Sequence, residues 1–269
     1  MVLFSTKRRD FIVSRVFITG STDGLGLAAA TLLLSQGHEV VGHARNGGRE
    51  ADLRRAAPGL TDVAVGDLGS AAETRAVADH VNALGRFDAV IHNAGVGYRE
   101  QRKNTTVDGH AHVLAINVLA PYLLTALMER PGRLVYLSSG MHRGGTPSVD
   151  DLDWNRRRWN GSQAYSDSKL FDTVLAFAMA RRWPDVLSNA VEPGWVPTKM
   201  GGPGAPDDLS LAHVTQAWLA VSDDPAATVS GQYFYHQRPR EVNPAARSHK
   251  FQDELTAALA QLTGVNLPA

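Results

Sequence analysis

The 269-residue chain contains no cysteine. That excludes disulfides, thiolate metal sites and cysteine nucleophiles, and it fits a reducing, cytoplasmic setting. An excess of one charge is also missing: 27 basic side chains face 27 acidic ones, so no sequence-independent grip on nucleic acid or anionic lipid is expected. No uninterrupted apolar run reaches the roughly 18 residues of a membrane span. There is no G-x-S-x-G, which argues against an α/β-hydrolase. His110 and His112, two apart, do not share a helix face, so no metal site is expected. The stretch Lys7-Arg8-Arg9-Asp10-Phe11-Ile12 resembles a twin-arginine export signal. The apolar residues that follow read as a core strand, so residues 1–14 are expected to be a basic, mobile tail. Arg156-Arg157-Arg158, between Trp154 and Trp159, reads as a solvated loop rather than a nucleic-acid contact.

What is there is the composition of an ordinary globular protein, 43% hydrophobic and 20% charged. Short β-branched runs at 16–19, 39–44, 61–65, 88–92, 133–138, 186–191 and 231–235 alternate with helical patterns at 25–36, 48–57, 70–84, 109–128, 162–183, 209–221 and 249–262. Parallel neighbours need a crossover, and right-handed crossovers place helices on both faces. The expected fold is therefore α/β, a doubly wound parallel sheet of the Rossmann type with about seven strands. No linker or repeat divides the chain, so 1–269 is read as one domain. Residues 140–160 form a polar insertion, and the Gly/Pro-rich residues 195–208 form a substrate loop.

The first strand runs into Thr19-Gly20-Ser21-Thr22-Asp23-Gly24-Leu25-Gly26 and then a helix. Glycines there permit a tight bend, let backbone approach a pyrophosphate and allow close helix–strand packing, with the phosphates at the helix N-terminus. Gly20, Ser21, Thr22, Gly24, Leu25 and Gly26 are the candidate cradle. The second strand ends in Ala44-Arg45, where an acid would bind the ribose hydroxyls of NAD. A guanidinium there suits a phosphate instead. NADP(H) is the expected cofactor and NAD(H) the alternative; Asp23, inside the turn, weighs against a nearby phosphate.

Tyr165 and Lys169 are four apart and share one helix face. A cation beside a phenol stabilises phenolate and lowers its pKa, so such a tyrosine can give a proton to a carbonyl or take one from an alcohol. Upstream, a strand ends in Ser138-Ser139, and strand C-termini are where ligands sit in such sheets.

The glycine turn, Asp67-Leu68, His92-Asn93-Ala94-Gly95, Asn117, Ser138-Ser139, Tyr165-x-x-x-Lys169 and Pro193-Gly194 occur in order. Together they identify the chain as resembling the short-chain dehydrogenase/reductase family over about residues 15–235. The resemblance implies these roles. Tyr165 is the general acid/base; Lys169 lowers its pKa and holds the nicotinamide ribose. Ser139 orients the substrate oxygen, and Asn117 positions a water leading from Lys169 to solvent. Asp67 and Leu68 meet the adenine, and Asn93, Ala94 and Gly95 brace the cofactor. Pro193, Gly194, Val196 and Thr198 line the nicotinamide end, with Thr198 on the carboxamide. His92 departs from the family's usual Asn. The gap from Ser139 to Tyr165 is also long; it contains Asp151-Leu152-Asp153-Trp154 and, with Pro193-Gly194-Trp195-Val196 downstream, is similar to the retinol-dehydrogenase-like branch.

The implied activity is NAD(P)-dependent oxidation or reduction between a small-molecule alcohol and carbonyl. The rival is a non-catalytic dinucleotide-binding regulator on the same fold, which typically loses the Tyr, Lys or Ser kept here. Helix 109–128 carries more apolar residues than one sheet-facing stripe needs. With helix 162–183 it is expected to form a homodimer or homotetramer interface, as the family commonly does.

Overall fold

The computed structural model describes residues 12–269. The twin-arginine-like stretch and most of the expected tail lie outside the described residues. The parallel strands are β1 (Arg15–Ile18), β2 (Glu39–Ala44), β3 (Asp62–Val65), β4 (Ala89–His92), β5 (Arg133–Leu137), β6 (Leu187–Val191) and β7 (Tyr233–Tyr235). They lie in the order β3-β2-β1-β4-β5-β6-β7, followed by β8 (Arg238–Pro239) antiparallel at the edge. The strands read as continuous β-branched runs because both faces are covered: Val16, Phe17, Ile18, Ala89 and Ile91 are fully buried.

α1 (Gly24–Ser35), α2 (Gly47–Ala56) and α7 (Val214–Val221) cover one face. The other carries α3 (Ala71–Ala83), α4 (His112–Leu114), α5 (Ala120–Leu127) and α6 (Gly161–Arg182), with α8 (His249–Thr263) packed on α6. The helix starts follow capping chemistry: Asn46, Ser70, Asn160 and Ser248 each accept a hydrogen bond from the backbone N–H three residues on. α1 differs, because the Asp23 side chain at its N-cap makes no such bond.

Four details depart from expectation. The sheet has an eighth strand, reached through His236 and Gln237, both at positive φ (47° and 60°). A two-residue hairpin turn needs that geometry at both positions, and neither residue is the usual Gly or Asn. The helix expected at 209–221 begins only at Val214; residues 209–213 form turns, leaving Leu209 and Leu211 exposed. The helix expected at 109–128 starts at His112 and is interrupted by a π-helical turn, Ala115–Leu119. Finally, the surplus apolar surface of α5 and α6 meets the chain itself. Every residue of α6 from Ala164 to Met179 is buried. Phe171 packs on Phe251 of α8 (ring centroids 6.3 Å apart), and the guanidinium of Arg247 lies over Phe177. Tyr122 of α5 donates to the carbonyl of Val265, and Trp183 to that of Pro268. Apolar surface of α5 and α6 is thus covered in part by the chain's own C-terminal segment.

The insertion is also more than a solvated loop. Asp151 accepts backbone N–H bonds from Asn155, Arg156 and Arg157, folding the segment on itself. Arg157 turns inward: its guanidinium lies 3.5 Å from the ring centroid of Trp154 and bonds the buried carboxylate of Asp167 at 2.8 Å. Asp167 lies on α6, so the insertion is fastened to the helix that carries Tyr165 and Lys169.

Candidate active site

A cleft of about 1740 Å³ opens at the C-terminal ends of the strands, where β1 and β4 diverge in topology. Gly20, Thr22, Gly24, Leu25 and Gly26 line one side of it. Gly20 and Gly24 take positive φ (63° and 54°). Gly26 has no room for a side chain: a Cβ would stand 2.4 Å from the Gly20 carbonyl oxygen and 2.5 Å from Asn93 Nδ2. That amide donates to the carbonyls of Thr19 (3.0 Å) and Gly20 (3.1 Å), tying β4 to the turn. Ala94 N–H donates to Thr19 Oγ1, so the Asn93-Ala94-Gly95 segment is clamped against the glycine turn.

Ser21 is placed differently from its neighbours. It is fully buried and does not line the cleft; its Oγ accepts from the backbone N–H of His43 at 2.8 Å. His43 was not singled out from sequence, yet it braces the same turn. Its Nδ1 accepts from Gly20 N–H at 3.0 Å, and its Nε2 donates to the Gly66 carbonyl at 2.9 Å. Both nitrogens are committed to one neutral tautomer, and burial holds the imidazole below its ordinary pKa.

Arg45 is exposed on the cleft wall, and Arg49, a second cation missed by sequence reasoning, lines the cleft beside it. Arg49 donates to Thr22 Oγ1 and Asp23 Oδ2, both at 2.8 Å. Lys199, from the loop after β6, bonds the same Asp23 oxygen at 2.7 Å. The Lys199 and Arg49 cations together hold the Asp23 carboxyl below its ordinary range against the opposing effect of burial. Its charge is therefore matched, which removes the objection it posed to a phosphate nearby. Asp67 and Leu68 also line the cleft, Asp67 accepting from Gly69 N–H at 2.8 Å.

Tyr165, Lys169 and Ser139 come together in the same cleft wall. The two serines after β5 divide the work. Ser138 Oγ donates to the Lys169 carbonyl and meets Thr173 Oγ1, both at 2.9 Å, fixing α6 to the strand. Ser139 faces the cleft and caps a 3-10 turn, Gly140–Gly144, by accepting from Met141 N–H. His142 in that turn is locked neutral, donating from Nδ1 to the Ser139 carbonyl and accepting at Nε2 from Asn243 N–H. Burial pushes it down to about 4.

Tyr165 is 5% exposed, packed edge-on against Tyr98, with its hydroxyl 3.8 Å from Met200 Sδ. Burial pushes the phenol above its ordinary value, with Lys169 and the Ser139 hydroxyl pulling it back. The sequence expectation was a lowered value; desolvation outweighs the cation here. Lys169 Nζ donates to the Leu137 carbonyl (2.8 Å) and to Asp172 Oδ2 (2.7 Å). Asn117 sits behind the cleft, in the π-helical turn. Its side chain accepts from Val96 N–H (2.8 Å) and donates to the Val96 carbonyl and to Ser168 Oγ. Asn117 and Lys169 flank Gly95, where a Cβ would lie 3.4 Å from Asn117 Oδ1 and 3.5 Å from Lys169 Nζ.

Pro193, Gly194, Val196 and Thr198 close the far side. The loop is braced internally: Trp195 N–H donates to Asp207 Oδ2, and Thr198 Oγ1 accepts from Gly201 N–H. Among the described residues, no helix is long and apolar enough to cross a membrane.

Comparison with known proteins bears on the fold and the family. The short chain dehydrogenase family matches residues 14–150. An uncharacterized oxidoreductase of Emericella nidulans is 44% identical over 258 residues, spanning 94% of this chain and 98% of that relative. Human retinol dehydrogenase 13 is 28% identical over 295 residues, spanning 94% and 86%. A crystal structure of a Mycobacterium paratuberculosis protein superposes with a TM-score of 0.83 at 26% identity, covering 96% of each chain.

Proposed function

The chain belongs to the short-chain dehydrogenase family, and from that premise we propose that it is an NAD(P)-dependent oxidoreductase acting on a carbonyl or alcohol, with NADP(H) preferred. One observation carries the reading: the Tyr165 phenol, the Ser139 hydroxyl and the Lys169 side chain share the cleft that the glycine turn opens.

The residues fit such a dinucleotide. Gly26 lets α1 pack against the Gly20 carbonyl and Asn93, and Gly95 adds no side chain beside Asn117 and Lys169. The first N–H groups of α1 receive no side-chain cap from Asp23, so they are available to a pyrophosphate. Arg45 and Arg49 supply cations suited to a 2′-phosphate, and Asp67 with Leu68 makes the adenine wall. Lys169 would hold the ribose and Thr198 the carboxamide. When bound, the nicotinamide supplies the hydride acceptor or donor that no side chain provides.

The chain's own part is the proton. In reduction, Tyr165 donates its phenolic proton to the substrate oxygen while Ser139 hydrogen-bonds that oxygen as charge develops. In oxidation the phenolate takes the proton back. Tyr98, Met141, Trp195 and Met200 give the surrounding wall an apolar, aromatic character that excludes water and suits a bulky carbonyl compound.

A screen of aldehydes, ketones and alcohols with both nicotinamide cofactors, run on wild type and Tyr165→Phe, tests the proposal. Turnover should fall by about 10²-fold or more in the variant, while dinucleotide affinity holds. Near-normal turnover by Tyr165→Phe would overturn it. A wild type that binds the dinucleotide and turns over nothing would instead fit a regulator.

A further inference from the structure

Lys169 is not alone in its pocket. Its ammonium donates to Asp172 Oδ2 at 2.7 Å, one helical turn further along α6. Lys169 is 4% and Asp172 3% exposed. The second carboxylate oxygen, Oδ1, is buried with no hydrogen-bond partner among the described residues. Removing a carboxylate from water at such a site is costly unless it is paired, and the proposed acid/base chemistry does not by itself call for it. The pair therefore needs an account.

Resting on the reading of Tyr165 as acid/base, we propose that Asp172 is a positioning residue: it anchors the Lys169 ammonium and cancels part of its field, so that Tyr165 stays a phenol and the site is biased toward carbonyl reduction. Tyr165, Lys169 and Asp172 follow one another at spacings of four and three on one helix, so they lie along one face. Lys169 pulls the phenol toward ionisation and Asp172 opposes it. The Lys169 ammonium reaches the Leu137 carbonyl in the same arrangement, which fixes its height under the cleft floor.

The other groups facing these side chains do not supply the same field. Tyr98, on the segment after β4, and Tyr233, on β7, neighbour Tyr165; burial pushes the Tyr233 phenol well above its ordinary value. Ser139 contributes a hydroxyl. Around Asp172, Tyr136 of β5 is pushed up by burial, and its stacking partner His92 of β4 is pushed down to about 3, so both are neutral at physiological pH. Burial likewise pushes Asp172 itself up to about 6, with Lys169 holding it back. At neutral pH and above, Asp172 is the anion set against Lys169.

Seven residues separate Tyr165 from Asp172, about 10 Å along a helix. A unit charge at that range and an effective dielectric near 20 moves a titration by about one pH unit. The test reads Tyr165 without needing turnover. Alkaline difference absorbance of tyrosinate is recorded for the apoprotein in wild-type and Asp172→Asn backgrounds, each minus the matching Tyr165→Phe protein. Asp172→Asn should move the Tyr165 midpoint down by about one unit, and alcohol oxidation on an identified substrate should shift its pH profile by the same amount. Asp172→Glu, which keeps the charge, should restore the wild-type midpoint. If Asp172→Asn does not fold, Asp172→Ser, which leaves space for a water against the ammonium, carries the same comparison. An unchanged midpoint in a folded neutral variant overturns the role of Asp172. Full turnover by Tyr165→Phe overturns the reading it rests on, and the two failures are separately visible.

Discussion

Replacing Gly26 with alanine should damage the turn and the dinucleotide site together. The added methyl would stand 2.4 Å from the Gly20 carbonyl oxygen, 2.5 Å from Asn93 Nδ2 and 2.9 Å from Ser21 Cα. Two of these three are backbone, and the Asn93 amide is held by its bonds to Thr19 and Gly20. Relief requires α1 to slide away from β4 or Asn93 to let go. Losing both Asn93 bonds costs about 1–3 kcal/mol at the usual net worth of a hydrogen bond. Residual overpacking costs about 1–3 kcal/mol, and the better helix propensity of alanine returns about 1 kcal/mol. The net, about 1–5 kcal/mol, corresponds to a fall in Tm of about 2–20 °C for a chain of this size. Because the same shift moves the α1 N–H groups off their aim, NADPH affinity should fall about tenfold or more, a loss of 1.4 kcal/mol or greater. Gly24→Ala is the control. It carries positive-φ strain that Gly26 does not, about 1–2 kcal/mol, but has no atom within 4 Å of the added Cβ. Thermal melts and fluorescence titration with NADPH compare the two. A Gly26→Ala protein that binds as tightly as wild type, or loses no more than Gly24→Ala, would refute the claim that close packing at this position builds the site.

Three further outcomes are expected. His92 and His142, pushed down to about 3 and about 4 by burial, stay neutral in the fold while the unfolded chain protonates below about pH 6.5. Their stabilisation is therefore complete above that pH and shrinks as pH falls. At pH 5 each loses about 2 kcal/mol, offset by about 1 kcal/mol from Asp172, whose raised pKa of about 6 favours the fold as it protonates. Urea midpoints measured at pH 7.5 and 5 should show a net loss of about 3 kcal/mol; equal midpoints would contradict it. Wild type should prefer NADPH over NADH by about 10- to 150-fold, the equivalent of one charge-assisted contact at about 1.5–3 kcal/mol, and Ala44→Asp should reverse the order in a titration. With α5 and α6 covered by α8 and the chain beyond it, light scattering at micromolar concentration should give the monomer mass; a dimer broken by a charge placed on α6 would restore the interface the sequence suggested.

The sheet and the cleft were legible because their signals are local. Apolar runs closed by Gly20, Gly37 or Pro184 mark strands and helices, and Tyr165 with Lys169 share a face by spacing alone. What was not legible depends on partners far along the chain. Arg157 looks like one member of an exposed basic run until Asp167 and Trp154 are seen to receive it. His43 reads as a strand residue, since its contacts with Gly20 and Gly66 are set by strand pairing rather than by any motif. The turn at His236-Gln237 carries none of the residues that usually signal positive φ. The apolar excess of helix 109–128 showed in the sequence, but periodicity cannot say whether a second subunit or the chain itself will cover it. Asp172, one turn past Lys169, reads as an ordinary helix residue until burial is known.

The seating of α8 on α6 has a consequence for synthesis. The ribosome releases α6 well before α8, so the nascent chain holds a helix whose outer side, including Phe171 and Phe177, awaits Phe251 and Arg247. Until that last helix leaves the exit tunnel, apolar surface is bare on the element that bears Tyr165 and Lys169, a period in which the chain is open to chaperones and to self-association. The helix that carries Tyr165 and Lys169 is thus among the last parts of the chain to be sheltered, and a ribosome stalled between Gly231 and Ser248 would hold a polypeptide in which Ser139, Tyr165 and Lys169 are all made but α6 lacks its cover by α8.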